Sequence, residues 1–353
     1  MIKLIEFIRI IILVTFLFLF PINAFAGTYW VSPTGSATWA NCQNTNPLID
    51  TSCCSLPTAT QNAIAGDIVN LRGGTYGGSG LIPSNSGLSG KQIVFQAYSA
   101  EIPVISPTSK FGSYYYGIYI NNKTYIKVSG ITFRSDNFPF YMIWMQWGAS
   151  YNELENCIFD GSGSGVAAIW DGYPAINQGI PSTNNWIHGC TIKNTGQVSP
   201  DCDDWGGMQI GVPAYDNRSG NNTIENNIFF AGGHHNLETY SKYNIIRNNY
   251  FHHEGSMAGP VGGCSYGADT NGLYGNRNIQ VYDGHSDEGM YNLLEGNRFG
   301  HAGPPPDDDG GDGMTITAPK NIIRYNDVFN SQNNGVYFKV GSGSYADNNR
   351  VLL

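Results

Sequence analysis

The feature that most restricts the fold of this chain is a short repeated phrase in which two apolar segments flank an asparagine. Clear copies begin at Tyr151, Asn222, Asn244, Asn292 and Asn321, and weaker copies begin at Tyr125 and Trp186. In each clear copy a Leu or Ile stands three residues before an Asn or Cys, and a Phe or Val stands two residues after it. This spacing predicts two short strands on either side of a tight bend, whose left-handed backbone Asn tolerates.

Stacking of these units would place the asparagines of successive copies above one another, so that their amides bond from coil to coil. The asparagines expected to be in register are Asn227, Asn249, Asn297 and Asn326. Cys157 and Cys190 occupy the same position in earlier copies. Their predicted role is to fill the stack as small buried side chains, rather than to bind a metal or act as nucleophiles.

A second phrase alternates with the first and consists of Gly or Asn followed by a short segment with apolar residues on one side. Its copies begin at Gly117, Gly207, Asn236, Asn278, Gly313 and Gly335. Because Asn227 and Asn249 are 22 residues apart, one coil would hold several short strands, and longer intervals would hold loops, an extra coil or both. The pattern predicts an all-β solenoid of stacked coils, since a helical solenoid needs a 3.6-residue period and a β-propeller needs longer strands.

The N-terminal part of the chain carries a recognisable series of segments. Tyr29–Gly35 reads YWVSPTG, a short helix is predicted from Thr58 to Ala65, and Gly66–Tyr76 reads GDIVNLRGGTY. This series resembles the start of many secreted β-helix proteins of the pectate-lyase-like superfamily. The resemblance implies a single-stranded right-handed parallel β-helix with a short N-terminal capping helix, which would protect the strand edges at the open end of the coil.

Three segments follow from this interpretation. Residues 1–26 would be a signal peptide, residues 27–67 an N-terminal loop with the capping helix, and residues 68–353 the β-helix. The superfamily contains lyases, hydrolases, epimerases and proteins without activity, so the resemblance specifies a fold and leaves the catalytic subfamily unidentified.

The start of the chain predicts export. Lys3 and Arg9 precede the apolar run 10–20, and Ala24–Ala26 has the small-x-small pattern of a cleavage site. The alternative is an uncleaved membrane anchor, but the run is short for a bilayer span. We therefore expect a secreted protein, extracellular or periplasmic, with no stable membrane insertion after cleavage. A formal net charge of −9 argues against nucleic acid as a partner; a polysaccharide or glycan is the expected partner, and the oligomeric state is left open.

Cysteine usage fits an exported protein. The chain contains seven cysteines, and Cys42, Cys53 and Cys54 lie close together near the N-terminus. A disulfide from Cys42 to either Cys53 or Cys54 would fix the N-terminal loop, and the sequence does not choose between the two.

Candidate catalytic residues come from one strand and the loops around it. Counting by twos from Leu237 places Glu238 and Tyr240 together on the outer face of a strand, and Lys242 follows its end. Gln280 and Tyr282 are expected one or two coils further on. Histidines in neighbouring loops could act as acid or base near neutral pH. The predicted catalytic set is Glu238, Tyr240, Lys242, His235, His253 and His285, and the competing interpretation is a solvated lysine and ordinary polar loops.

Acidic loops suggest a calcium site. Residues 304–313 read PPPDDDGGDG, and residues 283–288 read DGHSDE. Carboxylate oxygens in turns suit Ca²⁺, although neither segment has the spacing of an EF-hand and a solvated turn is the alternative. The predicted ligands are Asp307, Asp309, Asp312, Asp283 and Asp287.

The resemblance favours a carbohydrate-active protein, a lyase or epimerase acting on an acidic polysaccharide. Polygalacturonase-like hydrolases are disfavoured because Asp203–Asp204 occurs without their other motifs, and the Arg-x-Pro-x-x-Arg signature of classical pectate lyases is missing. The alternative is a non-catalytic extracellular protein that binds glycan or protein partners. Convergence of the predicted residues in one cleft would favour the enzyme, and scattering would favour the binding protein.

Tryptophans such as Trp144 and Trp170 would either stack on sugars or pack beneath loops.

Overall fold

The computed structural model describes residues 26–135, 137, 140–172, 179–195, 207–212, 216–232, 235–252, 277–282, 288–301, 312–331, 334–341, 344–345 and 349–352. Within these residues the chain forms three parallel β-sheets, called A, B and C, one α-helix, a short 3-10 turn over Asp50–Ser52 and a two-stranded hairpin. Strands of each sheet pair with their equivalents in the next coil, which is the architecture of a parallel β-helix.

Sheet A is formed by the first half of the repeated phrase, together with equivalent strands nearer the N-terminus. Its strands are, in order, β1 (Thr28–Val31), β2 (Ile68–Leu71), β4 (Ile93–Ala97), β7 (Ile126–Ser129), β10 (Glu153–Glu155), β12 (Trp186–His188), β15 (Thr223–Glu225), β18 (Ile245–Arg247), β21 (Leu293–Glu295), β24 (Ile322–Arg324) and β29 (Arg350–Leu352).

Sheet B is formed by the second half of the phrase. Its strands are β3 (Gly74–Tyr76), β5 (Pro103–Ile105), β8 (Thr132–Arg134), the start of β11 (Ile158–Ile169), β13 (Thr191–Thr195), β16 (Ile228–Phe230), β19 (Tyr250–His252), β22 (Arg298–Gly300) and β25 (Asp327–Phe329).

Sheet C is formed by the second phrase, as predicted. Its strands are β6 (Tyr115–Asn121), β9 (Phe140–Gln146), the end of β11, β14 (Met208–Ile210), β17 (His235–Thr239), β20 (Arg277–Val281), β23 (Met314–Ile316) and β26 (Val336–Phe338). The antiparallel hairpin pairs β27 (Val340–Gly341) with β28 (Ser344–Tyr345).

The bend between sheets A and B contains the predicted asparagine ladder. The Oδ1 atom of Asn249 accepts from the backbone N–H of Asn227 at 2.9 Å, and Asn297 does the same for Asn249 at 3.0 Å. Cys157 and Cys190 continue this stack and are buried, which confirms their predicted position. Asn249 and Asn297 belong to successive coils, because β18 pairs directly with β21. No extra coil therefore lies between them.

A second ladder, which the sequence analysis did not predict, lies at the corner between sheets C and A. Each member accepts from the backbone N–H of the member before it, and the members are Asn152, Asn185, Asn222, Asn244, Asn292, Asn321 and Asn349. The residue before each ladder position often has positive φ, for example Tyr243 at 62° and Tyr291 at 60°. The two ladders fix the register of the coils from their corners.

The interior of the coil is apolar and stacked. Phe229 lies 4.6 Å from Phe251, and Phe251 lies 5.0 Å from Phe299, measured between ring centroids with nearly parallel planes. All three side chains are fully buried. Burial of aromatic side chains in this column supplies much of the apolar stabilisation between coils.

The N-terminus differs from the prediction in detail. The helix, α1, spans Leu56–Asn62 and begins two residues earlier than predicted, because Ser55 caps it by accepting from the backbone N–H of Thr58 at 3.2 Å. Cys42 forms a disulfide with Cys54, whereas Cys53 is a buried free thiol. Among the described residues, no helix has the length and apolar character needed to cross a bilayer.

Candidate functional site

The outer face of sheet C presents residues of successive coils in straight columns. Leu237, Ile279 and Met314 point into the apolar core, and the alternate residues point outward. One outward column runs through Gln209, Glu238, Gln280, Thr315 and Tyr337. Glu238 and Gln280 therefore lie in directly adjacent coils, whereas the sequence had predicted a separation of one or two coils, and the register brings strand β17 beside β20.

Five polar side chains on these two coils form a compact group, called the polar cluster here. Its members are His235, Glu238, Tyr240, Arg277 and Gln280. Each is less than one-tenth exposed although it points away from the coil interior. Polar and charged groups held out of water in this way require partners, and electrostatic interactions between them are stronger than in solvent.

Gln280 connects Arg277, on the same strand β20, with His235 on the neighbouring strand β17. Its Oε1 atom lies 2.8 Å from Nη1 of Arg277 and 2.5 Å from Nε2 of His235. A guanidinium can only donate, so the amide atom that it contacts must be the oxygen. Nε2 of His235 faces both this oxygen and the guanidinium. The other ring nitrogen, Nδ1, lies 4.0 Å from Oε2 of Glu238.

Tyr240 is held in its protonated form. Burial, the charge of Glu238 and a hydrogen bond with Glu238 raise the pKa of Tyr240 well above its usual value. Its ring meets that of Tyr282 edge-on, at 5.1 Å between centroids. A phenol in this setting is a proton donor at neutral pH rather than a base.

Arg277 supplies the positive charge of the polar cluster. Its side chain is 8 % exposed, and its Nη1 atom also lies 3.3 Å from Nε2 of His235. A fixed guanidinium is suited to a carboxylate, because its planar set of donors matches two carboxylate oxygens. The polar cluster therefore combines an imidazole, a protonated phenol, a carboxylate and a cation within two coils.

A second charged group lies on the outer face of sheet A. Glu153, Glu155 and His188 bring one ligand atom each to within 4.8 Å of one another, and among the described residues this is the group that could hold a metal ion. However, Nζ of Lys127 lies 2.8 Å from Glu153 and 2.9 Å from Glu155. The ammonium group already pairs with both carboxylates, so the residues do not form an oxygen-rich calcium cage.

The carboxyl pKa values on sheet A agree with this assignment. Burial tends to raise the pKa of Glu153, but hydrogen bonds from Lys127 and His188 outweigh it and lower that pKa below its usual value. Burial likewise tends to raise the pKa of Glu155, but hydrogen bonds from Lys127 and Ser129 lower it below its usual value. Both groups are therefore ionised and paired at neutral pH, and the group acts as an ion-pair network on sheet A.

The family described as "Right handed beta helix region" matches residues 76–233 and 207–351, which together cover most of the chain. The chain belongs to the right-handed β-helix family. This membership confirms the hand of the coil that the resemblance implied.

Solved structures of the right-handed β-helix fold show the same architecture. The chain superimposes on pectate lyase Pel9A with a TM-score of 0.52 and 15 % identity, covering 92 % of this chain and 76 % of that one. It superimposes on an alginate lyase from Paenibacillus sp. strain FPU-7 with a TM-score of 0.48 and 16 % identity, covering 79 % and 93 %. No curated protein matches the sequence. At these identities the likeness concerns the fold alone.

Within this right-handed β-helix the predicted catalytic residues divide into three groups. His235, Glu238 and Tyr240 lie together in the polar cluster. Lys242 lies past the end of β17, half-buried at the corner between sheets C and A, where its carbonyl accepts from the N–H of Asn221. His253 and His285 lie outside the described residues.

The predicted calcium ligands are mostly outside the described part of the chain as well, namely Asp283, Asp287, Asp307 and Asp309. Asp312 is described and buried. Its Oδ1 atom accepts from the backbone and side-chain nitrogens of Asn334 at 3.0 Å each, and its Oδ2 atom accepts from Oγ1 of Thr315 at 3.0 Å. Asp312 thus holds the start of strand β23 beside the next coil, and calcium binding by the acidic loops stays a prediction.

Arg277 was not among the residues predicted from the sequence. A signal was present, because Arg277-Asn278-Ile279-Gln280 aligns with His235-Asn236-Leu237-Glu238 at the same positions of the second phrase. Extending that alignment by one residue toward the N-terminus places Arg277 beside His235, which is their register in the structure.

Proposed function

We propose that this protein is an exported polysaccharide lyase that cleaves a uronate-containing polysaccharide at the polar cluster on sheet C. The observation that carries the proposal is the convergence of His235, Glu238 and Tyr240 with the Arg277 guanidinium on two adjacent coils. Export is proposed from residues 1–26, which have the pattern of a secretory signal.

The reaction would be a β-elimination. Arg277 would pair with the carboxylate of a uronate residue and so favour loss of the proton at the adjacent carbon, C5. His235, as a neutral imidazole, would accept that proton. The electrons of the C5–H bond would form the C4=C5 double bond, the C4–O4 bond would break, and Tyr240 would donate its proton to the departing oxygen. The products are an unsaturated uronate end and a shortened chain with a free hydroxyl group.

The charges within the polar cluster support these roles. Glu238 lies beside both His235 and Tyr240, so it would stabilise an imidazolium formed on His235 after proton transfer. The raised pKa of Tyr240 suits a group that gives up its proton only to a developing alkoxide. An epimerase would use the same proton abstraction and would return the proton to the opposite face of C5 without breaking the chain.

The test uses the mature protein with a panel of uronate polysaccharides, with added Ca²⁺ and then with a chelator. A rise in ultraviolet absorbance from the unsaturated product would support the lyase, and loss of that signal with the chelator would direct attention to the acidic loops. Deuterium incorporated at C5 from heavy water without chain cleavage would identify an epimerase. Neither signal, together with measurable binding to the same polymers, would overturn the proposal in favour of a glycan-binding protein.

A further inference from the structure

The N-terminal half of the outer face of sheet C differs in chemistry from the half that carries the polar cluster. Its aromatic side chains form a continuous surface, called the aromatic strip here. The strip consists of Tyr116 and Tyr119 on β6, Tyr141 and Trp144 on β9, and Trp170 directly after β11. Neighbouring ring centroids are 4.6 Å apart for Tyr116–Tyr119, 4.3 Å for Tyr141–Trp144 and 5.7 Å for Trp144–Trp170.

One glutamine fixes the orientation of these rings. The Oε1 atom of Gln146 accepts from the indole N–H groups of Trp144 and Trp170, each at 2.9 Å. The Nε2 atom of the same amide donates to the hydroxyl of Tyr119 at 2.6 Å. Rings held in this way lose little conformational freedom when a ligand stacks on them, so the strip is pre-organised.

The rings differ in how much surface they leave open. Tyr116, Tyr119 and Tyr141 are buried against each other, whereas Trp144 and Trp170 are half-buried. The three tyrosines therefore form the base of the strip. The tryptophans, with the exposed ring of Phe111 at the edge, provide faces on which a ligand can stack.

The strip and the polar cluster lie in the same outward columns. Trp144 pairs with Ala168, Ala168 with Gln209, and Gln209 with Glu238. Trp144 is therefore three strand spacings from Glu238, about 14 Å along the axis of the coil. Ala168 and Gln209 occupy the two positions between them in this column. A chain that runs along the axis would cross both regions, and one strand spacing is comparable to the length of one hexopyranose unit.

The two regions also differ in charge. The strip has no ionised side chain at neutral pH, because tyrosine, tryptophan and phenylalanine are all uncharged there. Burial raises the pKa of Tyr116 and Tyr119 still further and raises that of Tyr141 to about 12. The polar cluster, in contrast, contains Arg277 and Glu238. A carboxylate over the strip would lose water without gaining a cation, whereas the C–H face of an uncharged sugar would stack on the rings.

We propose that the aromatic strip binds uncharged sugars of a heteropolysaccharide whose acidic sugar occupies the polar cluster. The inference rests on the proposed function for the role of the polar cluster and adds the class of substrate. It separates this protein from an enzyme for a polymer made of uronate alone, since such a polymer would place carboxylates on the uncharged rings.

The test is binding, measured in the His235→Gln background so that the polymer stays intact. Two matched pairs serve as probes: polygalacturonate against a polymer in which galacturonate alternates with neutral rhamnose, and polyglucuronate against a polymer in which glucuronate alternates with neutral hexose. We expect at least one alternating polymer to bind roughly tenfold more tightly than its homopolymer. The change Trp144→Ala should weaken that binding roughly tenfold, as expected for loss of a central aromatic contact.

Controls keep the outcomes distinct. Trp186→Ala removes an exposed tryptophan from sheet A and should leave binding unchanged. Trp144→Phe keeps a ring at the site, so it should retain most of the affinity even if Trp144→Ala fails to fold. Three outcomes would each overturn the inference. The first is that homopolymers bind as tightly as alternating polymers, and the second is that no polymer binds at all. The third is that Trp144→Ala and Phe111→Ala leave the binding unchanged. Preferential binding without any product from the unmutated protein would preserve it and overturn the lyase.

Discussion

His235 and Gln280 meet across two coils of sheet C, with Nε2 of the imidazole 2.5 Å from the amide oxygen. The Arg277 guanidinium shares that oxygen, so the amide holds both the imidazole and the cation in position. This contact depends on strand register alone, because the two residues are 45 positions apart in the chain. It holds His235, the proposed proton acceptor, beside the cation of the polar cluster.

The first prediction concerns the base. If His235 takes the C5 proton, His235→Gln should lower kcat/KM roughly 100-fold or more, the scale of general base catalysis. Lys242→Met should change it less than about threefold, because Lys242 lies at the corner past β17. Product formation on the best uronate polymer measures both. The reverse order of effects would make Lys242 the base and would remove His235 from the mechanism.

The second prediction concerns the asparagine ladder. Asn249 is buried and makes hydrogen bonds with Asn227, Ile224 and Asn297. Asn249→Ala should lower the free energy of unfolding by about 3 kcal/mol, because it leaves buried backbone groups without partners. Asn249→Cys should cost less, since Cys157 and Cys190 already serve in equivalent positions. Asn41→Ala, at an exposed site, is the control in denaturant unfolding. Equal losses at positions 249 and 41 would contradict the role of the ladder.

The fold followed from the sequence because its signals are local and repeated. The Asn227 and Asn249 phrases contain both strands and the bend between them, so each copy predicts its own geometry. The second ladder was missed because its asparagines, such as Asn222 and Asn244, come first in the phrase, where they read as ordinary turn residues. Their role appears only when coils are stacked.

The site was predictable only in part, for a physical reason. Alternation along β17 placed Glu238 and Tyr240 on one face, since that depends on neighbours in sequence. The partnership of His235 with Arg277 joins two copies of the second phrase. It appears only when the copies are aligned with each other, and a pattern within one coil carries no such information. The burial of the polar cluster was also unexpected, because outward residues on a solenoid face are normally solvated.

The third prediction is a pH dependence of stability. Burial, followed by the influence of Tyr114, raises the pKa of Tyr141 to about 12, whereas its usual pKa is near 10. Between pH 10 and pH 12 the native chain therefore binds more protons than the unfolded chain. Stability should therefore be complete below pH 10 and fall above it, by about 1.4 kcal/mol per pH unit from this residue. Tyr141→Phe should remove that contribution in denaturant unfolding measured across the window. Tyr151→Phe, on an exposed ring, is the control. An unchanged slope in Tyr141→Phe would contradict the assignment.

The fourth prediction concerns the disulfide. Cys42 is bonded to Cys54, and Cys53 is a free thiol. When thiols are titrated in denaturant without reductant, Cys53→Ala should therefore lower their number by one. Cys54→Ala should raise it by one, because it releases Cys42. The same change should cost about 3 kcal/mol of stability, as expected for opening a loop of this size. A bond from Cys42 to Cys53 would give the opposite changes in thiol number.

The fifth prediction concerns Lys127, whose ammonium lies between Glu153 and Glu155. Lys127→Ala should leave the two carboxylates facing each other and lower the free energy of unfolding by about 2 kcal/mol. The vacated position, bordered by His188, offers the carboxylate and imidazole ligands that Zn²⁺ accepts. Added Zn²⁺ should then restore stability in the variant, by about 2.7 kcal/mol at 100 times the dissociation constant.

The control for this change is Arg72→Ala, which removes a single ion pair with Glu101 and leaves one carboxylate. It should lose stability without gaining a response to Zn²⁺, because one carboxylate does not make a site. The unmutated protein should respond less than Lys127→Ala, since an ammonium and a divalent ion compete for the same oxygens. An equal response in both would mean that Lys127 does not occupy the metal position. The sheet A group would then act as a metal site in the native protein.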